Sequence, residues 1–200
     1  MRYQFLIDTY ETERLKVLSV WSMFRDADLP VRPHHRDVRG RSVHEQMVHQ
    51  CVSEDLWFRT MLDVEVGVPS LPDQESRLDF ITQYAAGSAE RLDTLRSKPE
   101  CWWEADARFF DTTRSRAWVM VRRIAHTAHH RGQQMTMLRM LNRDLHSTYG
   151  PTSDTGGLMQ SNAPVIYAYP DVHTLLAGEM AGGRKTTLPG PGARPPTERP

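Results

Sequence analysis

The sequence predicts an all-α protein, an antiparallel four-helix bundle with a mostly irregular C-terminal extension. Four segments repeat apolar residues at helical spacing, and they cover about 9–26, 42–64, 74–97 and 114–143. The connections between them are mostly short, as between neighbouring antiparallel helices. After Tyr149 the composition shifts to turn-forming residues. We therefore divide the chain into a bundle (1–148), an extension that packs on it (149–181) and a disordered tail (182–200).

The first two predicted helices are separated by a loop. We expect Asp8 or Thr9 to cap the first helix, because a side-chain oxygen there can accept a backbone N–H of the first turn. Segment 29–41 contains two prolines and a glycine, which favours a solvated connector over a phosphate site. The second helix is predicted to begin at Ser42, because Glu45 follows it in the spacing of a capping box.

The third helix and the segment after it are less regular. Asp73 is the expected N-cap of the third helix, which covers about 74–97. Residues 100–113 carry several aromatic side chains without a helical period, so we expect a loop or a short hairpin-like turn. Within it, Trp102 and Trp103 are better explained as core or interface residues than as a substrate wall.

The extension contains two short patterned segments. The string VIYAY, residues 165–169, is strand-like, and a short helix is expected to start near Asp171. The extension either folds back to shape a pocket or wraps the surface without a role in a site.

Bulk composition excludes several classes of partner. The 25 basic and 25 acidic residues give a formal net charge of zero, so charge supplies no reason to expect nucleic acid or an anionic membrane surface. No apolar run approaches the length of about 18 residues that spans a bilayer, and no signal-peptide core is present near the start. Cys51 and Cys101 do not form a disulfide framework, which favours a reduced, cytoplasmic protein.

The fourth helix is apolar on two opposed faces. At about 100° per residue, His126 and His130 lie only about 40° apart on one face. The opposite face gathers small and apolar residues: Ala117, Val121, Ile124, Ala128, Gly132, Met135 and Leu138. One face must line the bundle interior, and a partner subunit or the extension must cover the other.

Three histidines form a candidate metal site. His126 and His130 are spaced i, i+4, so their imidazoles project side by side and can reach one ion. His49 lies midway along the second helix, opposite that helix's apolar stripe, and can supply a third ligand. Three imidazoles leave a coordination position open for water or substrate, whereas the protease pattern HExxH is absent. The alternative is three ordinary histidines, and the helical wheel does not choose between the two.

Other polar residues near these histidines are weaker candidates. Glu45 lies one turn before His49 and is a weak candidate for a general base, because its position in the capping box favours a capping role. Arg131 and Gln133 are candidates for substrate binding or for orienting the ligands, with a surface or subunit contact as the alternative for Arg131. Cys51 faces away from His49 and is predicted to be a core residue.

These residues resemble the DinB-like (YfiT-like) superfamily. The string HTAHHRGQ matches the superfamily's fourth-helix pattern H-x-x-x-H-R-G-Q at His126, His130, Arg131, Gly132 and Gln133. The second-helix pattern, a histidine followed five residues later by an acidic residue, is matched by His49 and Glu54. The resemblance covers about residues 5–145, and the tail is longer than a minimal member needs. His129, next to the second matched histidine, permits an alternative pairing that its angle on the helix disfavours.

The resemblance implies a four-helix bundle that holds a divalent metal, most often nickel or zinc, on three histidines. It also implies a homodimer formed through the bundle helices, which would cover the second apolar face of the fourth helix. Activities of the superfamily include thiol S-transfer with bacillithiol or glutathione and mycothiol-dependent maleylpyruvate isomerisation.

Two functions of different class follow from this reading. The first is a metal-dependent enzyme of the thiol S-transferase or hydrolase type, which activates a thiol or water against a small-molecule substrate and takes a low-molecular-weight thiol as co-substrate. The second is a non-catalytic metal-binding or stress-related dimeric bundle that acts through interactions. A helical protein without a metal is the third, plainer alternative.

Overall fold

The structure is a computed structural model that describes residues 2–157, 166–184 and 187–190. Four long helices, α1 (Gln4–Ser22), α2 (Val43–Met61), α3 (Arg77–Arg96) and α5 (Arg116–Met140), form the bundle. The smaller elements are α4 (Glu100–Glu104), β1 (Asp106–Phe109), β2 (Thr112–Ser115) and α6 (Val172–Met180), with 3₁₀ turns at Asp26–Asp28 and Ser153–Thr155. Helix α1 packs against α3 and α5, and α2 packs against α5. The predicted all-α class is confirmed.

Helix α1 begins earlier than predicted. It starts at Gln4, whose side-chain amide donates to Asp8 at 2.9 Å. The Thr9 hydroxyl donates to a carbonyl one turn back, so Asp8 and Thr9 lie inside the helix and neither is its cap. Helix formation continues toward the amino terminus because it buries Leu6 and Ile7 in the apolar cluster at this end of the bundle.

Capping boxes set the starts of α2 and α3. Ser42 and Glu45 satisfy each other's backbone N–H at 3.2 and 2.8 Å, as the sequence predicted. The predicted cap of α3 at Asp73 is wrong, because Ser76 and Asp79 form the same reciprocal pair three residues later. A capping box satisfies two N–H groups where a lone aspartate satisfies one, which accounts for the later start.

The segment between α3 and α5 folds as a short helix and a hairpin. Strands β1 and β2 pair antiparallel from Asp106 with Ser115 to Phe109 with Thr112. The turn between them holds Phe110 at φ 53°, in the left-handed region that non-glycine residues rarely adopt. The hairpin-like turn expected here is therefore present over 106–115, whereas the short helix Glu100–Glu104 before it was not expected.

The apolar core consists of two clusters along the bundle. The first lies around Trp21 and includes Cys51; the second lies around Phe58 and includes Trp103, which is fully buried. The apolar stripe of α2 is buried at every position: Val43, Met47, Cys51, Phe58 and Met61. Burial of that stripe turns the opposite side of α2, with His49, toward α5.

Helix α5 is the predicted fourth helix, and the chain after it covers part of the apolar face opposite His126 and His130. Met135 packs against the first core cluster, and the Thr148 hydroxyl lies 3.9 Å from its sulfur. Arg139 forms an ion pair with Asp154 at 2.6 Å. Toward the amino-terminal end of α5 the face stays open, since Val121 is 49% exposed. The chain after α5 thus covers this face at Met135, near its carboxyl-terminal end, whereas Gly132 on the same face stays exposed.

Helix α6 docks on the α1–α3 side of the bundle. It starts after Asp171, whose carboxylate accepts from the backbone N–H of Thr174 at 2.8 Å, as predicted. Tyr169 packs on Gly178 and donates to Glu179 at 3.0 Å. The strand-like residues before it form no strand over 166–169, and 165 lies outside the described residues. Most of the predicted tail, 185–186 and 191–200, also lies outside them.

No helix in the described ranges has both the length and the apolar character needed to cross a membrane.

Candidate metal centre

Helices α2 and α5 bring the three predicted histidines together. The ring centroid of His49 lies 5.4 Å from that of His126 and 4.7 Å from that of His130. The rings of His126 and His130 are 4.5 Å apart, as the i, i+4 spacing predicts. One nitrogen from each residue lies within 4.8 Å of the other two, so the group can hold a metal ion.

The separation of the ligand atoms fits a small ion. The Nε2 atoms of His126 and His130 are 3.2 Å apart. Two nitrogens bound tetrahedrally to one zinc at 2.0–2.1 Å are separated by about 3.3 Å. His126 and His130 therefore stand at the spacing of two ligands of one ion.

A glutamine orients one of the three rings. The side-chain oxygen of Gln46 lies 2.8 Å from Nδ1 of His130, and an amide oxygen can only accept a hydrogen bond. The hydrogen of His130 is therefore on Nδ1, and Nε2 keeps its lone pair toward His126. Gln46 in turn donates to Gln133 at 2.8 Å, and Gln133 contacts His129 at 3.0 Å. This chain of amides fixes the ligand-competent tautomer.

Aromatic side chains close one side of the histidine group. The Trp57 ring stacks on His126 with centroids 5.5 Å apart and planes inclined by 23°. Phe109 and Phe110 of the hairpin pack edge-on against the Trp57 ring, with ring centroids 5.3 and 6.1 Å from its centroid. Phe110 is 62% exposed, so this wall extends from the histidines to solvent.

A buried charge network lies beneath the histidines. Arg123 donates to Ser53 at 3.0 Å and lies 3.5 Å from the carboxylate of Glu54. Glu54 is fully buried and also accepts hydrogen bonds from Tyr10 at 2.7 Å and Tyr84 at 2.9 Å. The carboxylate therefore compensates the buried positive charge of Arg123, which lies next to the candidate metal site.

Burial keeps the three imidazoles neutral. Burial, followed by the charge of Arg123 and the neighbouring histidines, lowers the pKa of His126 to about 3. Burial likewise lowers the pKa of His130 to about 4, with His49 as the next cause. The pKa of His49 is also below its usual value, through burial and then the charge of Arg41. Neutral imidazole is the form that binds metals.

The weaker candidates, Glu45, Arg131 and Gln133, differ in whether their contacts connect them to the histidines. Glu45 forms the α2 cap and pairs with Arg32 at 2.5 Å, so its contacts are accounted for without the site. Arg131 is buried in an ion pair with Glu13 of α1 and has no described contact with the histidines. Gln133 belongs to the amide chain described above.

His129 and Cys51 do not belong to the histidine group. His129 is exposed and is not in the group of possible ligands, in line with its angle on the helix. Cys51 is buried among apolar residues, which raises the pKa of its thiol far above the usual value. It is a core residue, as predicted.

Sequence reasoning missed Gln46, Trp57 and Arg123. Gln46 lies three residues before His49, so the helical period places it beside the site together with Glu45. Glu45 is the sequence-based candidate because glutamate is a common general base. The helical period alone does not show whether Glu45 or Gln46 faces the histidines. The sequence indicates Trp57 and Arg123 less clearly, because their contacts depend on how α2 and α5 are oriented toward each other.

Comparisons with known proteins agree with the fold and the motif. The profile of the DinB family matches residues 9–156. The crystal structure of a DinB-like protein from Bacillus cereus ATCC 10987 superposes with a TM-score of 0.60 and 15% identity, over 69% of this chain and 91% of that one. At that identity the likeness extends to the fold alone. A search of curated proteins finds no match. Since the family profile covers most of the sequence, the chain belongs to the DinB family.

Proposed function

We propose that this protein is a metal-dependent enzyme that holds one zinc or nickel ion on His49, His126 and His130. The observation that carries the proposal is the convergence of three neutral imidazoles from two helices, one of them fixed in its ligand tautomer by Gln46. A divalent ion so held supplies an open coordination position and lowers the pKa of a thiol or water there. The reaction class is attack of that thiol or water on a small electrophile.

The surrounding residues support chemistry rather than a closed structural site. Structural zinc sites use four protein ligands, whereas the described residues bring together three. The wall of Trp57 and the hairpin phenylalanines excludes water from one side and offers a face for an apolar electrophile. Phe110 holds a strained backbone angle with its ring exposed, a combination that is common at functional sites.

We also propose that the protein is a cytoplasmic homodimer. Cys51 and Cys101 are both free thiols, which suits a reducing compartment and a thiol co-substrate. The open part of the second α5 face, where Val121 is exposed, supports pairing with a second copy through the bundle. Sedimentation of wild type and Val121→Glu tests this: the variant should be monomeric at concentrations where the wild type is dimeric, and a monomeric wild type contradicts the dimer.

The activity is tested with two reactions on zinc- and nickel-loaded protein. Conjugation of glutathione to 1-chloro-2,4-dinitrobenzene reports thiol transfer, and cleavage of p-nitrophenyl acetate without thiol reports hydrolysis. We expect one of them to be lost on chelation and in His126→Ala, but retained in His35→Ala, whose histidine is exposed on a loop. Glutathione should also raise the melting temperature if thiol transfer is the reaction. Full metal occupancy without turnover of either probe would favour the non-catalytic metal binder.

A further inference from the structure

A cavity of about 300 Å³ lies next to the histidine centre and is not accounted for by metal binding. Its walls come from the loop before α2, from α2 itself and from α5. Gln46 and Gln133 form the boundary between the cavity and the histidines, since Gln46 contacts His130. A molecule in this cavity would therefore touch the same amides that orient a metal ligand.

The cavity has one uncompensated charge. Arg39 pairs with Asp37 at 2.8 Å, and Arg32, earlier in the same loop, pairs with Glu45. Arg41 lines the cavity and, among the described residues, forms no ion pair or hydrogen bond. No carboxylate lines the cavity in the described part of the chain. The local field is therefore positive, at the point where the chain enters α2.

Arg41 is held at this position by the backbone on both sides of it. The Arg32 guanidinium donates to the carbonyl of Gly40 at 2.6 Å. On the other side, Ser42 is fixed by the capping box of α2, and Val43 donates to the carbonyl of Val31 at 3.1 Å. The backbone therefore fixes where the Arg41 side chain starts, and a guanidinium can bind a planar carboxylate through two hydrogen bonds.

The other residues that line the cavity indicate which groups the rest of the ligand can carry. Met137 and Met140 supply adaptable apolar surface, and the Gln133 amide and Thr136 hydroxyl supply polar contacts. The volume is at the lower end of the range for small-molecule sites, which limits the ligand to a few carbon atoms beyond its anionic group.

We propose that this cavity binds the carboxylate end of a small substrate or co-substrate, with Arg41 as its partner, while the other end of the molecule reaches the three histidines. The inference rests on the proposed metal function and names the substrate class: a short carboxylate-bearing thiol or electrophile. Arg41 thus acts as a binding residue that sets specificity.

The test compares two thiols that differ only at the far end. Cobalt-loaded protein is titrated with 3-mercaptopropionate and with 3-mercapto-1-propanol, and the thiolate-to-cobalt absorption band reports binding. A charge-assisted contact with Arg41 should make the carboxylate bind about tenfold more tightly. In Arg41→Gln the two dissociation constants should become equal, whereas the neutral thiol should bind as before.

Arg36→Gln is the matched control. Arg36 is exposed on the same loop, outside the cavity, and its removal changes the net charge by the same amount. It should keep the preference for the carboxylate. Equal affinities in the wild type, or a preference that survives in Arg41→Gln, would overturn the proposal. Equal losses in both variants would show a general field effect and would also overturn it.

The same comparison in metal-free protein separates this inference from the proposed function. Amide chemical shifts of Gly40 and Thr136, on opposite walls of the cavity, report the carboxylate directly. If the protein fails to bind metal but still shows carboxylate-selective shifts, the metal proposal is contradicted and the carboxylate site in the cavity is supported. Metal-loaded protein that does not distinguish the two thiols would contradict the cavity and leave the metal proposal intact.

Discussion

At the scale of single residues, the proposed metal centre depends on side chains that orient the three histidines as well as on the histidines themselves. His126 and His130 were predictable, because the α-helix fixes the direction of residues four apart whatever the rest of the fold does. His49 required the further assumption that its helix turns its polar side toward α5. Gln46 was not predictable, because its contact with His130 depends on the relative rotation of two helices.

Replacing Gln46 should weaken metal binding without removing a ligand. Gln46→Met keeps the side-chain volume but leaves His130 without the acceptor that fixes its tautomer. We expect zinc affinity to fall about 10–100-fold, measured by competition with a chromophoric chelator. Gln133→Met removes the contacts with Gln46 and His129 but leaves the hydrogen bond between Gln46 and His130, so it should cost less. Equal affinity of Gln46→Met and wild type would contradict the role given to this amide.

The buried carboxylate of Glu54 should be important for stability. Glu54→Gln keeps the shape but leaves Arg123 without its buried counter-charge and Arg91 with only Asp55. We expect the free energy of unfolding to drop by about 3–5 kcal/mol in urea titrations, because an unpaired buried charge is costly. Glu11→Gln, at an exposed pair with Arg96, should cost less than about 1 kcal/mol. Similar losses in the two variants would refute the assignment.

At the scale of elements, local sequence signals predicted types better than boundaries. The helix at Ser42 starts where its capping box predicted, and the helix at Asp171 starts at its predicted cap. The start of α1 was wrong because tertiary burial of Leu6 and Ile7 extends the helix beyond any capping signal. The hairpin was only partly foreseen, since its strands are four residues long and their pairing is not visible as alternation.

Two helical glycines should respond oppositely to alanine. A Cβ on Gly178 would lie 2.7 Å from Cζ of Tyr169, so Gly178→Ala must displace the ring that ties α6 to the bundle. A Cβ on Gly132 in α5 meets no described atom within 4 Å, so Gly132→Ala should gain about 0.5–1 kcal/mol from helix propensity. Thermal unfolding should therefore place the two variants on opposite sides of the wild type.

Two other results would change this account. Stabilisation by Gly178→Ala would show that Tyr169 does not hold α6 in place. If Gly132→Ala is destabilised and also loses a dimer in sedimentation, Gly132 lies in the subunit contact. The loss of stability would then come from that contact and not from packing within one chain.

At the scale of the whole molecule, burial of histidines makes the fold sensitive to acid. Burial lowers the pKa of His126 to about 3 and those of His130 and His146 to about 4. The unfolded chain takes up these protons below about pH 6.5, while the folded chain does not until pH approaches 4. Unfolding therefore binds protons, and stability must fall as pH drops from about 6.5 toward 4.

Urea midpoints of the metal-free protein at pH 7.5, 6 and 5, with a chelator present, measure this dependence. We expect a steady decrease on acidification and little change between pH 7.5 and 8.5. The variant His146→Gln, away from the metal centre, should show a shallower slope. A midpoint that is constant or that rises between pH 7.5 and 5 would contradict the buried, neutral state of these histidines.

The central claim, that three histidines of this DinB-family bundle bind a metal ion, is tested most directly by elemental analysis. Wild type, His126→Ala and His35→Ala are loaded with zinc or nickel, dialysed extensively and measured for metal per chain. We predict about one equivalent in the wild type and in His35→Ala, and a large loss in His126→Ala, because two imidazoles hold an ion far less tightly than three. Wild type without bound metal, or His126→Ala with a full equivalent, would contradict the account.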